Sequence, residues 1–252
     1  MGRKVVPLTS GTKKDPEGAR YRDRAWLLGD VSLVISLLFS LEVYQPCNGW
    51  LTYLSFSDFA DEFPNAEVIG TDVSPMQPTW VPPNVKFELE DCNEEWTWPE
   101  NTFDFVNMRY LAGVVTDWHA LMRNAYRVAK PGAWVESYVP SSHNLSDDGS
   151  VKKGSPLDQW GIVFREGSKK LGRTFTVYED DLQRKSMEAA GLVDIEFRDK
   201  RVPLGVWHPD KKEAEIGLWF KLTIEADIDG KLPREPLRSP LFCNQVNADN
   251  SL

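Results

Sequence analysis

The chain has 252 residues, a net charge of −9, 41% apolar and 27% charged residues. That is the composition of an ordinary globular protein, long enough for one α/β domain with a substantial core. The acidic balance argues against a broad basic face for nucleic acid. Cys47, Cys92 and Cys243 are scattered, as are His119, His143 and His208, so no zinc spacing arises and a reducing compartment, cytoplasm or nucleus, is expected.

Residues 1–24 are polar and broken by Pro7, Gly11, Pro16 and Gly18, and are expected to be disordered or loosely packed. A domain is expected over 25–230, followed by an irregular tail over 231–252. Basic residues (Lys13, Lys14, Arg20, Arg22 and Arg24) precede an apolar run from Val31 to Leu41. The run is shorter than the ~20 apolar residues of a membrane span, and Asp30 and Glu42 bracket it, so a buried helix or strand, or a poorly packed extension, is expected and no membrane association.

Ser57 to Phe63 reads as a helix end closed by Pro64-Asn65, and Ala66 to Thr71 as a buried strand delivering Asp72 at its tip. Four prolines make Ser74 to Asn84 a loop. Val85 to Leu89 is a second strand, ending in Glu90-Asp91-Cys92. Phe103 to Met108 is a third, after a loop carrying Trp96 and Trp98. Thr116-Asp117 is placed to cap a helix whose Trp118, Leu121, Ala125 and Val128 recur at three and four residues, with Lys130-Pro131-Gly132 as its stop and Ala133 to Val139 as the next strand. Beyond the polar loop Ser141 to Gly154, Leu157, Trp160, Phe164 and Leu171 share a helical face. Thr176 and Glu179 resemble a capping box, Gly191 a left-handed stop, Val193 to Val202 a strand and Ala214 to Ala226 a helix. Strands alternating with helices predict a mostly parallel sheet with helices on both faces.

Ligands of such sheets bind beyond the carboxyl ends of the strands. Three ends carry candidate groups. Asp72 can accept from both hydroxyls of a ribose, or serve as a turn aspartate before Ser74-Pro75. Asp91 can accept from an exocyclic amine while the next backbone N–H, that of Cys92, meets a ring nitrogen; the alternative is a solvated acidic turn. Arg109 can bind a carboxylate and Tyr110 can wall a pocket, or Arg109 can pair with a surface acid. Trp96 and Trp98 can stack on a base or fill the core.

Several linked stretches carry a family resemblance. They are Asp58 to Pro64, Val68 to Pro75, Trp80 to Val85, Trp96-x-Trp98-Pro99, Phe103-Asp104-Phe105, Arg109 to Gly113, Asp117-Trp118, Lys130 to Glu136, Gly205-Val206-Trp207 and Glu215-Ile216-Gly217. Together they resemble the fungal LaeA-like class I methyltransferases, over residues 58 to 230. The resemblance implies a seven-stranded Rossmann-like sheet and S-adenosyl-L-methionine as cofactor. It matches Asp72, with the adjoining Val73, to the ribose-binding acid, Asp91 and Cys92 to the adenine side, and Arg109 and Tyr110 to the segment after the fourth strand. It also implies a small-molecule or protein methyl acceptor, regulatory protein partners and a link to secondary metabolism. Tyr110, Glu136 and His143 are candidates for a base, none of them assigned, and a lone histidine in a polar loop such as His143 is more often a solvent-exposed residue than a catalytic one.

Two departures stand out. The family places its first strand and a Gly-x-Gly-x-Gly loop immediately before Asp58, where this chain has Gly49 followed by Trp50-Leu51-Thr52-Tyr53-Leu54. Downstream of Gly230 the closing antiparallel strand is not recognisable. The sheet is therefore expected to be short at its first and last strands. A non-catalytic remnant serving as an interaction module is the alternative to an enzyme. A nicotinamide-dependent oxidoreductase is disfavoured, since no glycine fingerprint followed by an acid exists.

Overall fold

The computed structural model describes residues 4–9, 33–38, 59–73 and 81–226. They fall into two compact units, one up to Lys200 and one from Arg201. The first unit is built on a sheet of eight strands: β1 (Lys4–Thr9), β2 (Leu33–Leu38), β3 (Glu67–Asp72), β4 (Val85–Leu89), β5 (Phe103–Arg109), β6 (Ala129–Val139), β7 (Val193–Ile195) and β8 (Arg198–Asp199). The spatial order is β4-β3-β2-β5-β6-β1-β7, with β8 also pairing β1, and the pairings are parallel. Parallel pairing brings every strand tip to one edge of the sheet. From β2 the chain builds outward through β3 to β4, then crosses to β5 and β6 on the other side. The reversal of strand order therefore lies between β2 and β5, the place where such sheets take ligands.

Both positions where the sequence leaves the sheet short are filled. Leu33–Leu38, inside the apolar run, is the central strand, paired with β3 and β5. Lys4–Thr9, expected to be loosely attached, lies between β6 and β7. Its Lys-Val-Val-Pro-Leu-Thr carries the β-branched residues that a pleated surface favours, and the polar residues around it hide that signal. The segment where the glycine loop is expected, Gly49 to Ser57, lies outside the described residues, as do Ser74 to Trp80 and the tail from 227.

Burial follows from position. β3 is buried along nearly its whole length, as a strand covered on both faces must be. β4 is the sheet edge and exposes Lys86 and Glu88, charges that discourage further pairing. Residues on alternate sides of the strands feed two cores. Val68, Val85 and Phe105 join Phe59, Ala60 and Ala66 on one face. Ile69, Val106 and Met108 join Trp96, Trp98 and the helices on the other. Asn84 ties the first core together by donating to the carbonyls of Ala60, Phe63 and Ala66 at 3.0, 3.2 and 3.0 Å.

Helix α1 (Trp118–Val128) starts where Asp117 accepts from the amides of His119 and Ala120 at 2.9 and 3.0 Å, satisfying two of the amides that a helix start leaves open. Its apolar stripe, completed by Met122, is wholly buried. Lys130-Pro131-Gly132 does not separate helix from strand by a loop, however. β6 begins at Ala129, and the motif forms an irregularity inside it, with Gly132 at φ +87° and a register shift opposite Phe103 and Phe105. Helix α2 (Pro156–Lys170) is capped by Ser155. Helix α3 (Leu182–Ala190) ends at Gly191 (φ +90°) as expected and is bound to β6 by Gln183, which donates to Ser137 at 2.7 Å in the interior. The strand region Val193 to Val202 is reduced to β7 and β8.

In the second unit, helix α4 (Lys211–Ala226) begins at Asp210, which accepts from the amides of Lys212 and Glu213 at 2.9 and 3.0 Å. Gly205 donates to the Gly217 carbonyl at 3.0 Å. A Cβ on Gly217 would lie 2.1 Å from the Gly205 oxygen, so this close backbone approach requires glycine.

Candidate functional site

The sequence-predicted groups gather at the carboxyl edge of the sheet, in two clusters either side of the β2 tip. The first is at β3 and β4. The Asp72 carbonyl accepts from the Glu90 amide at 3.1 Å, joining the two strand tips, and Asp72 is 8% exposed. Asp91 is exposed; its Oδ1 accepts from both the amide and the Nδ2 of Asn93, at 2.9 and 3.1 Å, closing a turn. Cys92 between them is half-buried. Burial pushes its thiol up to about 12, with the Asp91 and Asp72 carboxylates adding to the shift and Arg173 opposing it. A thiol held that high stays protonated at neutral pH. Strand pairing brings Asp72 and Asp91 to neighbouring tips on one edge of the sheet. Val73, next after Asp72, is 53% exposed.

Two members of this cluster were not singled out from the sequence. Asn93 clamps the β4 tip to the loop after β5: its Oδ1 accepts from the Thr116 amide and hydroxyl at 2.8 and 3.1 Å, and its Nδ2 reaches the Val114 carbonyl at 3.4 Å. Its place directly after Asp91-Cys92 was the available signal. Arg173 follows Gly172, whose φ of +65° reverses the chain after α2. A glycine stop beside an arginine was visible in the sequence, but its distance in the chain from Cys92 hid the meeting.

The second cluster is at β5 and β6. Arg109 is half-buried and its Nε donates to Asn107 Oδ1 at 3.4 Å. Tyr110 sits at φ +56°, a left-handed conformation that a bulky side chain adopts at a cost. Its ring is 49% exposed and meets Tyr138 edge-on at 5.2 Å, and its amide donates to the Tyr138 carbonyl at 3.0 Å. Burial, reinforced by Tyr110, holds the Tyr138 hydroxyl protonated far above the ordinary tyrosine range. Strain of this kind, held at a strand tip by its neighbours, is a feature of functional sites. Asp72 and Arg109 are separated by two strand spacings, about 10 Å.

The remaining candidates divide. Glu136 is 2% exposed, in register with Asn107 inside the sheet and short of the strand end. Trp96 and Trp98 are core residues at 2% and 8% exposure, locked by Arg127, which donates to the carbonyls of Trp98 and Trp96 at 2.7 and 2.5 Å. They do not reach the site. His143 lies four residues beyond the end of β6 and pairs with Glu179. Glu179 is therefore not the partner of a capping box: Thr176 bonds Asp180 instead, and α3 starts from Asp181 without a side-chain cap. Among the described residues, no group of three or more His, Cys, Asp or Glu is arranged to hold a metal, and no helix is long and apolar enough to cross a membrane.

Comparison with known proteins adds the following. Residues 49–196 match the family described as a methyltransferase domain. The chain is 31% identical over 174 residues to the secondary metabolism regulator LAE1 of Cochliobolus heterostrophus, covering 68% of this chain and 56% of that protein. It is 31% identical over 162 residues to methyltransferase pytC of Aspergillus terreus, covering 64% and 49%. The chain thus spans about half the length of the curated relatives it matches. Among solved structures, Haemonchus contortus phosphoethanolamine N-methyltransferase 2, in complex with S-adenosyl-L-methionine, is similar at a TM-score of 0.44 and 18% identity, covering 86% of this chain and 43% of that one.

Proposed function

The chain belongs to the methyltransferase-domain family, and from that premise we propose that it transfers a methyl group from S-adenosyl-L-methionine, held across the tips of β3, β4 and β5. The observation that carries this reading is that Asp72 and Asp91 stand at the adjacent, hydrogen-bonded tips of β3 and β4, beside the strand-order reversal.

The residues present fit such a donor. The 8%-exposed Asp72 carboxylate suits a ribose diol, because charge-assisted hydrogen bonds are strongest where water is excluded. Asp91 keeps Oδ2 for an exocyclic amine, since Oδ1 is taken by its own turn. The Cys92 backbone and thiol, with Val73, border the base. Arg109 supplies charge for the amino-acid carboxylate, and the exposed Tyr110 ring walls the reacting end. The span of about 10 Å between the two clusters accommodates a nucleoside with an amino acid attached. The bound donor supplies a methyl group on a positively charged sulfur. The protein's part is to orient the acceptor in line with it and to keep water out, and no fixed catalytic triad is required.

The name of the Cochliobolus heterostrophus relative, a secondary metabolism regulator, supports a role in secondary metabolism. The acceptor is proposed to be a small molecule or a protein, and the compartment the cytoplasm or nucleus, with regulatory protein partners. Calorimetric titration with S-adenosyl-L-methionine and S-adenosylhomocysteine tests the reading. Micromolar binding is expected, whereas heatless titration at millimolar ligand would favour a remnant that keeps the fold without the cofactor.

A further inference from the structure

The loop after β6 and the segment after α2 are joined by a small hydrogen-bonded group. Glu179 Oε1 accepts from the Ser141 hydroxyl at 2.6 Å and meets His143 Nδ1 at 2.8 Å, and the His143 amide donates to Ser141 Oγ at 3.0 Å. Burial opposes charge on Glu179, but the hydrogen bonds from Ser141 and His143 outweigh it and hold its carboxyl below the ordinary range. An ionised carboxylate can only accept. The proton of the neutral ring must therefore lie on Nδ1, which leaves the Nε2 lone pair available. The His143 side chain is 49% exposed and that of Glu179 22%. This is an oriented imidazole open to an incoming group.

The loop is also fixed in place. Gly161 of α2 lets the Ser142 carbonyl approach so closely that a Cβ there would lie 2.1 Å from the oxygen. Asn144 donates to the Leu157 carbonyl at 3.0 Å, and Arg165, the charged group of α2 facing this loop, contacts the Ser142 carbonyl and hydroxyl at 3.4 Å. The same helix carries Trp160 and Phe164 in edge contact at 5.3 Å. Phe164 meets Phe175 at 5.2 Å, and Phe175 covers Gly113 in the loop after β5. The half-buried aromatic cluster thus links the histidine loop to the β5 tip, where Tyr110 stands.

We infer that His143 is the general base of the methyl transfer, positioned by Glu179, and that the acceptor is an aromatic hydroxyl compound seated against Trp160, Phe164 and Phe175. The inference rests on the methyltransferase reading. As the acceptor oxygen bonds to the methyl carbon, its proton passes to His143 Nε2 and the carbon–sulfur bond breaks with its electron pair going to sulfur. The products are a methyl ether, a neutral thioether and an imidazolium that later gives its proton to water. Glu179, which touches none of the reacting atoms, is a positioning residue.

The chain has three histidines, so nitrogen-15 NMR of the histidine-labelled full chain, with single substitutions for assignment, reads His143 directly. The Nδ1–H tautomer is expected, lost in Glu179→Gln. 2-Naphthol should shift the Nε2 resonance, and 2-methoxynaphthalene, which has no proton to give, should not. With donor present, His143→Ala and His143→Gln should each lower 2-naphthol methylation about 100-fold and leave donor affinity within twofold. An Nε2–H tautomer in the unaltered chain, or a resonance unmoved by saturating 2-naphthol, overturns the proposal. These ring measurements need no donor. Failure to bind S-adenosyl-L-methionine would instead sink the methyltransferase reading while leaving the tautomer result standing.

Discussion

Helices α1 and α2 both carry an apolar stripe, and they use it in opposite ways. In α1 every stripe residue, from Trp118 to Val128, is buried against the sheet and α3. In α2 the buried positions are Gly161 and Ser168, while Trp160 and Phe164 are half-covered and Ile162 and Leu171 are 41% and 61% exposed. The first helix consolidates the fold behind the strands. The second holds a loop at their tips through a close backbone contact and leaves aromatic surface free. Periodicity alone describes both helices equally well; what separates them is whether small residues or large ones meet the neighbouring backbone.

This contrast can be broken from either side. Trp118→Ala should cost about 3–5 kcal/mol of stability, because the indole is 2% exposed within the main core and its loss leaves a cavity there. A shift of the denaturant midpoint smaller than that of an exposed Leu171→Ala would contradict the assignment. Gly161→Ala should cost about 1–3 kcal/mol, felt locally: limited proteolysis within 141–154 should rise while the denaturant midpoint moves less than for Trp118→Ala. Asp72→Ala should weaken S-adenosylhomocysteine binding by about tenfold or more, the value of a charge-assisted hydrogen bond; unchanged affinity removes Asp72 from the site. Asp117→Ala should cost about 1 kcal/mol through the lost cap, which chemical denaturation resolves. The smallest effect concerns acid. Glu179 is held below its ordinary range when folded, so it contributes stability above that range, and the contribution is lost as pH falls through the folded value. Glu179→Gln should flatten that part of the acid-unfolding curve, and a curve of unaltered shape would show that the Ser141 and His143 bonds do not hold.

Much of this was legible in the residues. Asp117 with the spacing of Trp118, Leu121, Ala125 and Val128 specified α1, since cap and period agree. The apolar run ending in Asp72 specified β3 and its tip. Where the reading went astray, a distant partner had won over a local signal. Glu179 stands at capping-box spacing from Thr176, yet His143 and Ser141 take its carboxylate. Lys130-Pro131-Gly132 has the chemistry of a stop, yet pairing with β5 carries β6 through it. Lys4–Thr9 is too short to announce itself without the neighbouring β6. The two candidate carboxylates were visible singly; their arrival at adjacent strand tips depends on strand order, which no local pattern contains.

The most direct test of the central claim is a backbone amide shift map of the full chain titrated with S-adenosylhomocysteine. Val73, Cys92, Asn93 and Tyr110 are expected to move together with a single affinity, while Ala125 of α1 and Met187 of α3 stay still. Saturating ligand that leaves the β3 and β4 tips unmoved, or moves another surface instead, would contradict the account.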